Sequence, residues 1–336
     1  MWAAVSRARI IQYGLGPIGL GIAEIVLERG YRIVGAIDID PAKSGRRLAD
    51  LLPGASPDII IAGSPSAALS TRADLVVHST QSRLAQVASQ LSQLVEAGLN
   101  VISTCEELAF PWYHHPHEAS TLDRLARMHE VTVVGLGVNP GFVMDALPVI
   151  LTAPCRRVER IHVERVVDLG RRRVPLQQKV GMGLSPEAFR RGVSEGRLAH
   201  VGLPQSAAWI AQALGWTLSG IDESIDPVIG TDGTVQGIHQ VCQGMREGTA
   251  VITLDLTMAV DVAPHDTVTI DGAPPIRATI RGGIHGDQAT CAIAANAIPS
   301  ALAAPPGLLV ATQLPPLHHS LRPSQDLQGR SAESTM

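Results

Sequence analysis

The sequence predicts an α/β protein, a Rossmann doubly wound parallel sheet followed by a second α+β domain with a largely antiparallel or mixed sheet. Three observations carry this. A glycine turn, Gly14-x-Gly16-x-x-Gly19, follows the short apolar run of Ile10, Ile11 and Tyr13. Short apolar strands then alternate with helical patterns, the order of a parallel sheet. From residue 157 the texture changes to longer stretches that alternate apolar and polar residues, as strands with one solvated face do.

The first unit has the order that a dinucleotide site needs. Gly14 permits a tight turn, Gly16 lets backbone approach a pyrophosphate, and Gly19 lets helix and strand pack closely. With Pro17 and Ile18 between them, they lead into a helix marked by Ile22, Ile25 and Val26 and closed by Gly30. Its free N–H groups face the phosphates. A second strand, Tyr31 to Ile37, ends at Asp38, which lies 24 positions after Gly14. That is close to the spacing of about 20 residues expected for an acid on the adenosine ribose.

Residues 41–70 read as a surface connection with a helix over Ser44–Leu52 and a β-branched run at 58–62. The strand Leu75–His78 ends in the polar segment Ser79-Thr80-Gln81-Ser82, and a helix follows over 84–98. A strand at 100–104 runs into Cys105-Glu106-Glu107, then a loop rich in Pro and His, a helix over 118–130 and a strand at 131–135. Ligands of such sheets bind beyond the carboxyl ends of the strands, so segments 14–19, 79–82, 105–107 and 136–142 are expected to line one crevice. Long strands at 158–166 and 250–260, with helices over 186–195 and 204–214, build the second part. The resulting division is 1–145 for dinucleotide binding, with 286–314 returning to pack on it, 146–285 for substrate and oligomerisation, and a disordered tail at 315–336.

Length and composition bound the rest. A chain of 336 residues with 45% hydrophobic content has room for two cores. A net charge of −4 gives no reason to expect nucleic acid as a partner. No apolar run reaches the roughly 18 residues of a membrane span. The start of the chain does not read as a signal peptide, and the four cysteines are too scattered for a zinc cluster or disulfide framework. A cytoplasmic enzyme without a metal is the expectation.

Glu106 and Glu107 lead the catalytic candidates, because two acids at a strand's carboxyl end stand where nicotinamide and substrate meet. A carboxylate there can stabilise a cationic imine, orient an amine or act as a base; the plainer reading is an acid-rich helix start. Adjacent residues in extended chain point to opposite sides, so one of the two is expected to face the crevice. Cys105 offers thioester chemistry of an aldehyde dehydrogenase, though a buried small residue is the better reading. His114, His115 and His117 suggest metal ligation, but Pro116 interrupts them and no other ligand completes the set. Asn139, beside Pro140 and Gly141, and Phe142 place a turn and an aromatic wall near the nicotinamide. His200 reads as a polar anchor, and Arg171-Arg172-Arg173 as a solvated loop.

Several stretches together resemble the native amine dehydrogenase and 2,4-diaminopentanoate dehydrogenase family, which has a dihydrodipicolinate reductase-type N-terminal domain. They are the glycine turn, Ala36-Ile-Asp38-x-Asp40-Pro41, the segment 103–112 containing Glu106-Glu107 and Pro111-Trp112, and Gly137-Val138-Asn139-Pro140-Gly141-Phe142-Val143-Met144-Asp145. His200 with Val201-Gly-x-x-Gln-Ser206 and Gly286-Asp-x-Ala-Thr290 belong to the same set. The resemblance spans residues 8–312. It implies reductive amination of a ketone or aldehyde with ammonia by NADH or NADPH, and the reverse deamination. It places the essential glutamate in the Glu106-Glu107 pair, with Glu106 favoured. Val138, Phe142, Val143 and Met182 are then the apolar walls, with His200 beside the substrate. Arg165 and Arg197 are the candidate clamps for a substrate carboxylate, without which simple carbonyls become the better substrates. Ser79, Thr80, Gln81 and Asn139 join the glycine turn around the cofactor. Asp38 favours NAD, whereas Lys43, Arg46 and Arg47 can receive the 2′-phosphate of NADP. The resemblance also implies a homodimer. Dihydrodipicolinate reductase activity itself is disfavoured, since only His114-His115 of its motif is present. The alternatives are 2,4-diaminopentanoate dehydrogenase proper, a Cys105-dependent aldehyde or semialdehyde dehydrogenase, and a cofactor-binding regulator without chemistry.

Overall fold

The apolar run before the glycine turn forms β1 (Arg9–Tyr13), buried in all but its first residue. The computed structural model describes residues 8–170 and 174–319. Helix α1 (Pro17–Glu28) begins at Pro17, two residues ahead of Gly19. Proline suits that place because its φ is already helical and its missing N–H would have had no helical partner. β2 (Arg32–Ile37) lies parallel to β1. The helix expected over Ser44–Leu52 does not form. Gly45 takes φ +82°, a left-handed turn that ends any helix started there, and only a single 3-10 turn follows at Leu48–Asp50.

The chain then alternates as β3 (Ile61–Ala62), α2 (Pro65–Leu69), β4 (Leu75–His78), α3 (Leu84–Glu96), β5 (Asn100–Ser103), α4 (Pro116–Met128), β6 (Thr132–Gly135) and α5 (Ala146–Leu151). A second run gives β7 (Arg157–Asp168), α6 (Val174–Lys179), α7 (Pro186–Ser194) and α8 (Leu203–Ala213). Four strands follow, β8 (Gly220–Ile229), β9 (Val235–Arg246), β10 (Thr249–Ala259) and β11 (His265–Ala273), then β12 (Ile276–Arg281), α9 (Gly286–Ala303) and β13 (Gly307–Leu309).

Seven strands make the first sheet in the order β13-β6-β5-β4-β1-β2-β3, every neighbouring pair parallel. The chain runs outward from β1 in one direction and resumes at β4 on its other side, so the sheet opens beyond Tyr13 and His78. That reversal is where such sheets bind ligands. The second sheet, β12-β11-β7-β10-β9-β8, is antiparallel except for β7 beside β10. Ile161 and Val163 face inward, and with Ile238, Leu254 and Leu256 they form a core under Leu203, Ala207 and Ile210 of α8.

The two sheets are tied together. Helix α9 leaves the second sheet and packs on α1, where Cys291 lies so close that a Cβ on Gly21 would stand 2.8 Å from its sulfur. Trp209 of α8 is buried in the core of the first sheet and donates its indole N–H to Thr312 at 3.2 Å. Residues 315–319 have no regular structure. The arginine run at 171–173 and the rest of the expected tail lie outside the described residues.

Candidate active site

Close packing at the sheet's opening explains two of the three glycines. A Cβ on Gly14, whose φ is +91°, would stand 2.2 Å from the carbonyl oxygen of Ser79, and one on Gly19 would stand 1.9 Å from that of Gly14. β1, β4 and α1 therefore meet backbone to backbone. Gln12 fixes the junction, donating to the Gly14 carbonyl at 3.1 Å and to Ser79 Oγ at 3.0 Å. Gly16 differs, since a Cβ there would meet nothing within 4 Å. It opens onto a cavity of about 470 Å³.

That cavity runs along Gly16, Pro17, Ile18, Gly19 and the segment Ser79, Thr80, Gln81, Ser82, past Thr104 and Glu106, to Val138, Asn139 and His200. Arg165, Lys179, Leu256, Met258, Asp287 and Thr290 close it from the second sheet, α6 and α9. Of the four strand-end segments expected to share a crevice, 79–82 lines it whole, 16–19 and 137–140 line it from two others, and Glu106 joins them from the fourth.

The two acids diverge. After β5 the chain makes a 3-10 turn at Glu106–Ala109, which turns Glu106 to the cavity and Glu107 into the protein. Glu107 is buried at the start of α3, accepting the Leu84 N–H at 2.7 Å and bonding His115 Nε2 at 2.9 Å. It satisfies a free N–H at a helix start, as the plainer reading had it, but of α3 and not of a helix beginning at the acids, and it lies outside the cavity. Glu106 is paired with Lys179, whose Nζ donates to its carboxylate oxygens at 2.9 and 3.3 Å.

Beside this pair lie two polar side chains without charge, His200 and Asn139. Burial holds His200 down at about 4, so its imidazole is neutral, and its Nε2 lies 3.1 Å from Asn139 Nδ2. Asn139 Oδ1 is buried without a hydrogen-bond partner among the described residues. Asn139 is fixed by its neighbours: Gly141 at φ +123° turns the chain, and the buried Asp145 accepts the Gly141 N–H at 2.8 Å. Val138 donates its N–H to Thr290 on α9 at 3.2 Å.

Other expected positions are corrected. Phe142 and Val143 do not wall the cavity; Gly141 turns them back into the protein, Val143 into the second core and Phe142 against both cores. Met182 is likewise absent from the lining. Arg197 is exposed and paired with Glu195. Arg165 touches the cavity but is committed, donating to Asp266 at 2.5 Å and to the Ile284 carbonyl at 2.8 Å, with burial pulling its pKa below the ordinary value. Cys105 is buried and donates to the Ser82 carbonyl; burial pushes its thiol up to about 12, the wrong direction for a nucleophile. Asp38 accepts the Leu15 N–H at 2.8 Å and Lys43 at 3.0 Å, which ties the glycine turn to the end of β2. Arg46 lies outside the cavity, half exposed and 4.0 Å from Asp50. Sequence reasoning missed Lys179, Thr104, Leu256 and Met258. No spacing marks a lone lysine on a short helix, and the two apolar residues read as ordinary inward positions of a strand.

The residues fit a dinucleotide. Open space at Gly16 faces the first turn of α1, whose backbone N–H groups lack helical partners. Asn139 lines the same cavity, and its buried Oδ1 has no hydrogen-bond partner among the described residues. Among the described residues no group of three His, Cys, Asp or Glu is placed to hold a metal ion, and no helix is long and apolar enough to cross a membrane.

Comparison with known proteins adds to this geometry. An amine dehydrogenase from Mycobacterium smegmatis superposes with a TM-score of 0.85 at 23% identity, covering 94% of this chain and 98% of that one. An oxidoreductase from Agrobacterium radiobacter in complex with NAD+ superposes with a TM-score of 0.58 at 11% identity, covering 91% and 92%. At such identities these are likenesses of fold. The 2,4-diaminopentanoate dehydrogenase of Acetoanaerobium sticklandii is 32% identical over 334 residues, spanning 93% of this chain and 94% of that protein. Residues 142–328 match the model of the 2,4-diaminopentanoate dehydrogenase C-terminal domain. With more than half of its length matched by that model, the chain belongs to the 2,4-diaminopentanoate dehydrogenase family.

Proposed function

We propose that this protein is an NAD(P)H-dependent amine dehydrogenase that converts a ketone or aldehyde and ammonia to a primary amine, and catalyses the reverse deamination. Family membership makes it an oxidoreductase acting on CH–NH2 groups with NAD or NADP. The observation that carries the catalytic reading is Glu106, a carboxylate at the end of β5 in the cavity that the glycine turn opens onto.

Ammonium and carbonyl condense with loss of water to a cationic iminium, whose carbon would take a hydride from a reduced dinucleotide held at the glycine turn. Glu106 stabilises the iminium and holds the ammonium that precedes it, while neutral His200 and Asn139 orient the nitrogen without adding a competing positive charge. The amine leaves protonated, so one proton is taken up for each turnover of carbonyl, ammonium and reduced cofactor. Leu256, Met258 and Val138 give this end of the cavity apolar walls that limit water. Gly14, Gly16, Pro17, Ile18 and Gly19 with Ser79, Thr80 and Gln81 hold the cofactor, and Asp38, just past the end of β2 and outside the cavity lining, is the acid proposed for its ribose. Among substrates, oxo acids and amino acids of the size of 2,4-diaminopentanoate, the compound in the relative's name, are favoured. The chain acts in the cytoplasm as a homodimer.

The test follows NADH and NADPH oxidation with a panel of ketones and aldehydes, with and without ammonium. Turnover should require ammonium and fall by about 10²-fold or more in Glu106→Gln, the scale for losing one electrostatic stabiliser. Turnover indifferent to ammonium, or surviving the substitution, would overturn the reading.

A further inference from the structure

The Glu106–Lys179 pair puts a lysine ammonium where the proposed reaction needs a substrate ammonium. Nζ of Lys179 bonds both oxygens of the carboxylate, as a bound amine would. Catalysis at Glu106 therefore requires Lys179 to move, and what receives it decides which substrates displace it easily. Among the described residues lining the cavity, the cations are Arg165 and Lys179. Arg165 is locked between Asp266 and the Ile284 carbonyl. Lys179 ends the short helix α6, its side chain retains 28% exposure, and Glu106 retains 24%. A pair this open to solvent is weak enough to be exchanged.

We propose that Lys179 is the specificity-determining residue for substrates bearing a carboxylate, and that it works by exchange. In the free enzyme Lys179 occupies Glu106. A substrate with an amine or carbonyl at one end and a carboxylate at the other replaces both halves of the pair: its carboxylate takes Lys179, and its nitrogen takes Glu106. Charge in the cavity stays balanced throughout. An uncharged ketone provides no partner for Lys179, which stays on Glu106 and competes with ammonium. The inference rests on the role proposed for Glu106 and adds the anionic half of the substrate to it.

The experiment compares 4-oxopentanoate with its uncharged amide, 4-oxopentanamide, in wild type, Lys179→Met and Lys179→Arg. Wild type should prefer the acid. In Lys179→Met, kcat/KM for the acid should fall by about 10-fold or more, the loss expected when a hydrogen bond to a charged group is removed. With the amide, the KM for ammonium should fall, because its intramolecular competitor is gone. Lys179→Arg should keep the preference for the acid. An equal loss with both substrates, or an unchanged preference for the acid in Lys179→Met, overturns the proposal. Calorimetry without turnover gives an independent reading. 4-Aminopentanoate should bind wild type more tightly than Lys179→Met, and 2-aminopentane should do the reverse; the same order for both amines in both proteins also overturns it. Because binding is read without chemistry, a failure of the amine dehydrogenase reading and a failure of this one are distinguishable.

Discussion

Two adjacent glutamates end up with unrelated tasks, and the difference is set by one 3-10 turn. Glu106 faces the cavity, while Glu107 holds the N–H at the start of α3 and the ring of His115. Glu107→Ala should therefore cost stability, about 1–3 kcal/mol for the buried partners left unsatisfied, as read from urea unfolding, while the KM for ammonium stays near that of wild type. Cys105 sits one residue before them, buried, with its thiol held up at about 12. Cys105→Ala should keep ammonium-dependent turnover, and the native protein should resist iodoacetamide at this position; loss of activity in the variant would restore the thioester alternative. Both acids were visible in the sequence as a pair at a strand end, and alternation said that they would part. Which one faced the cavity depended on the turn after β5, which leaves no mark in residue spacing. Lys179 shows the same limit more sharply, since its meaning comes from Glu106, 73 positions earlier in the chain.

At the scale of elements, the glycine turn was the most legible stretch, because each glycine answers to a separate steric demand. Gly14→Ala adds a Cβ where backbone already stands at 2.2 Å and forces a side chain into φ +91°. This variant should fold poorly. Gly16→Ala meets no protein atom, so it should fold with near-native melting yet bind NADH or NADPH more weakly, as fluorescence titration of the reduced nicotinamide would show. Equal damage from both substitutions would mean that Gly16 serves packing and not the cofactor. The long strands β7 and β10 were legible for a similar reason, since alternation every second residue is a direct imprint of one buried face. Within the connection at 41–70, the helix expected over Ser44–Leu52 was misread. A run of helix-compatible residues around Gly45 promised a helix, and the left-handed φ at Gly45 with the Arg47–Ile60 bridge replaced it by a turn and an extended edge. Phe142 and Val143 were misplaced because a sequence shows that a loop follows β6 but not the direction in which Gly141 turns it.

For the whole molecule, buried His78 and partly buried His200 tie stability to pH. His78 bonds Ser103, Gln90 and Thr80, His200 bonds Asn139, and burial holds both at about 4. Their folded-state values lie below the unfolded value near 6.5, so the stability they contribute is present above pH 6.5 and is lost as pH falls towards 4. Each is worth about 3 kcal/mol across that interval. Asp145 runs the other way: burial raises it to about 6, so its contribution is present below its unfolded value of 3.8 and is lost as pH rises through 6. Two groups against one predict a net fall of the urea midpoint between pH 7 and pH 4.5. His78→Gln should flatten that dependence; a curve as steep as that of wild type would assign the acid sensitivity to other groups.

The first sheet does not belong to the first part of the chain alone. β13 forms its edge beside β6, and α9 covers α1 with Ala294, Ala297 and Ile298 in the core beneath. On a ribosome, residues 8–145 emerge with a bare apolar helix face 141 residues before α9 begins and an open strand edge 162 residues before β13 does. An unpaired edge of that kind is a template for wrong pairing. A fragment ending at residue 145 should accordingly aggregate instead of standing alone as a nucleotide binder, and the nascent chain should depend on holding chaperones until its last strand is added.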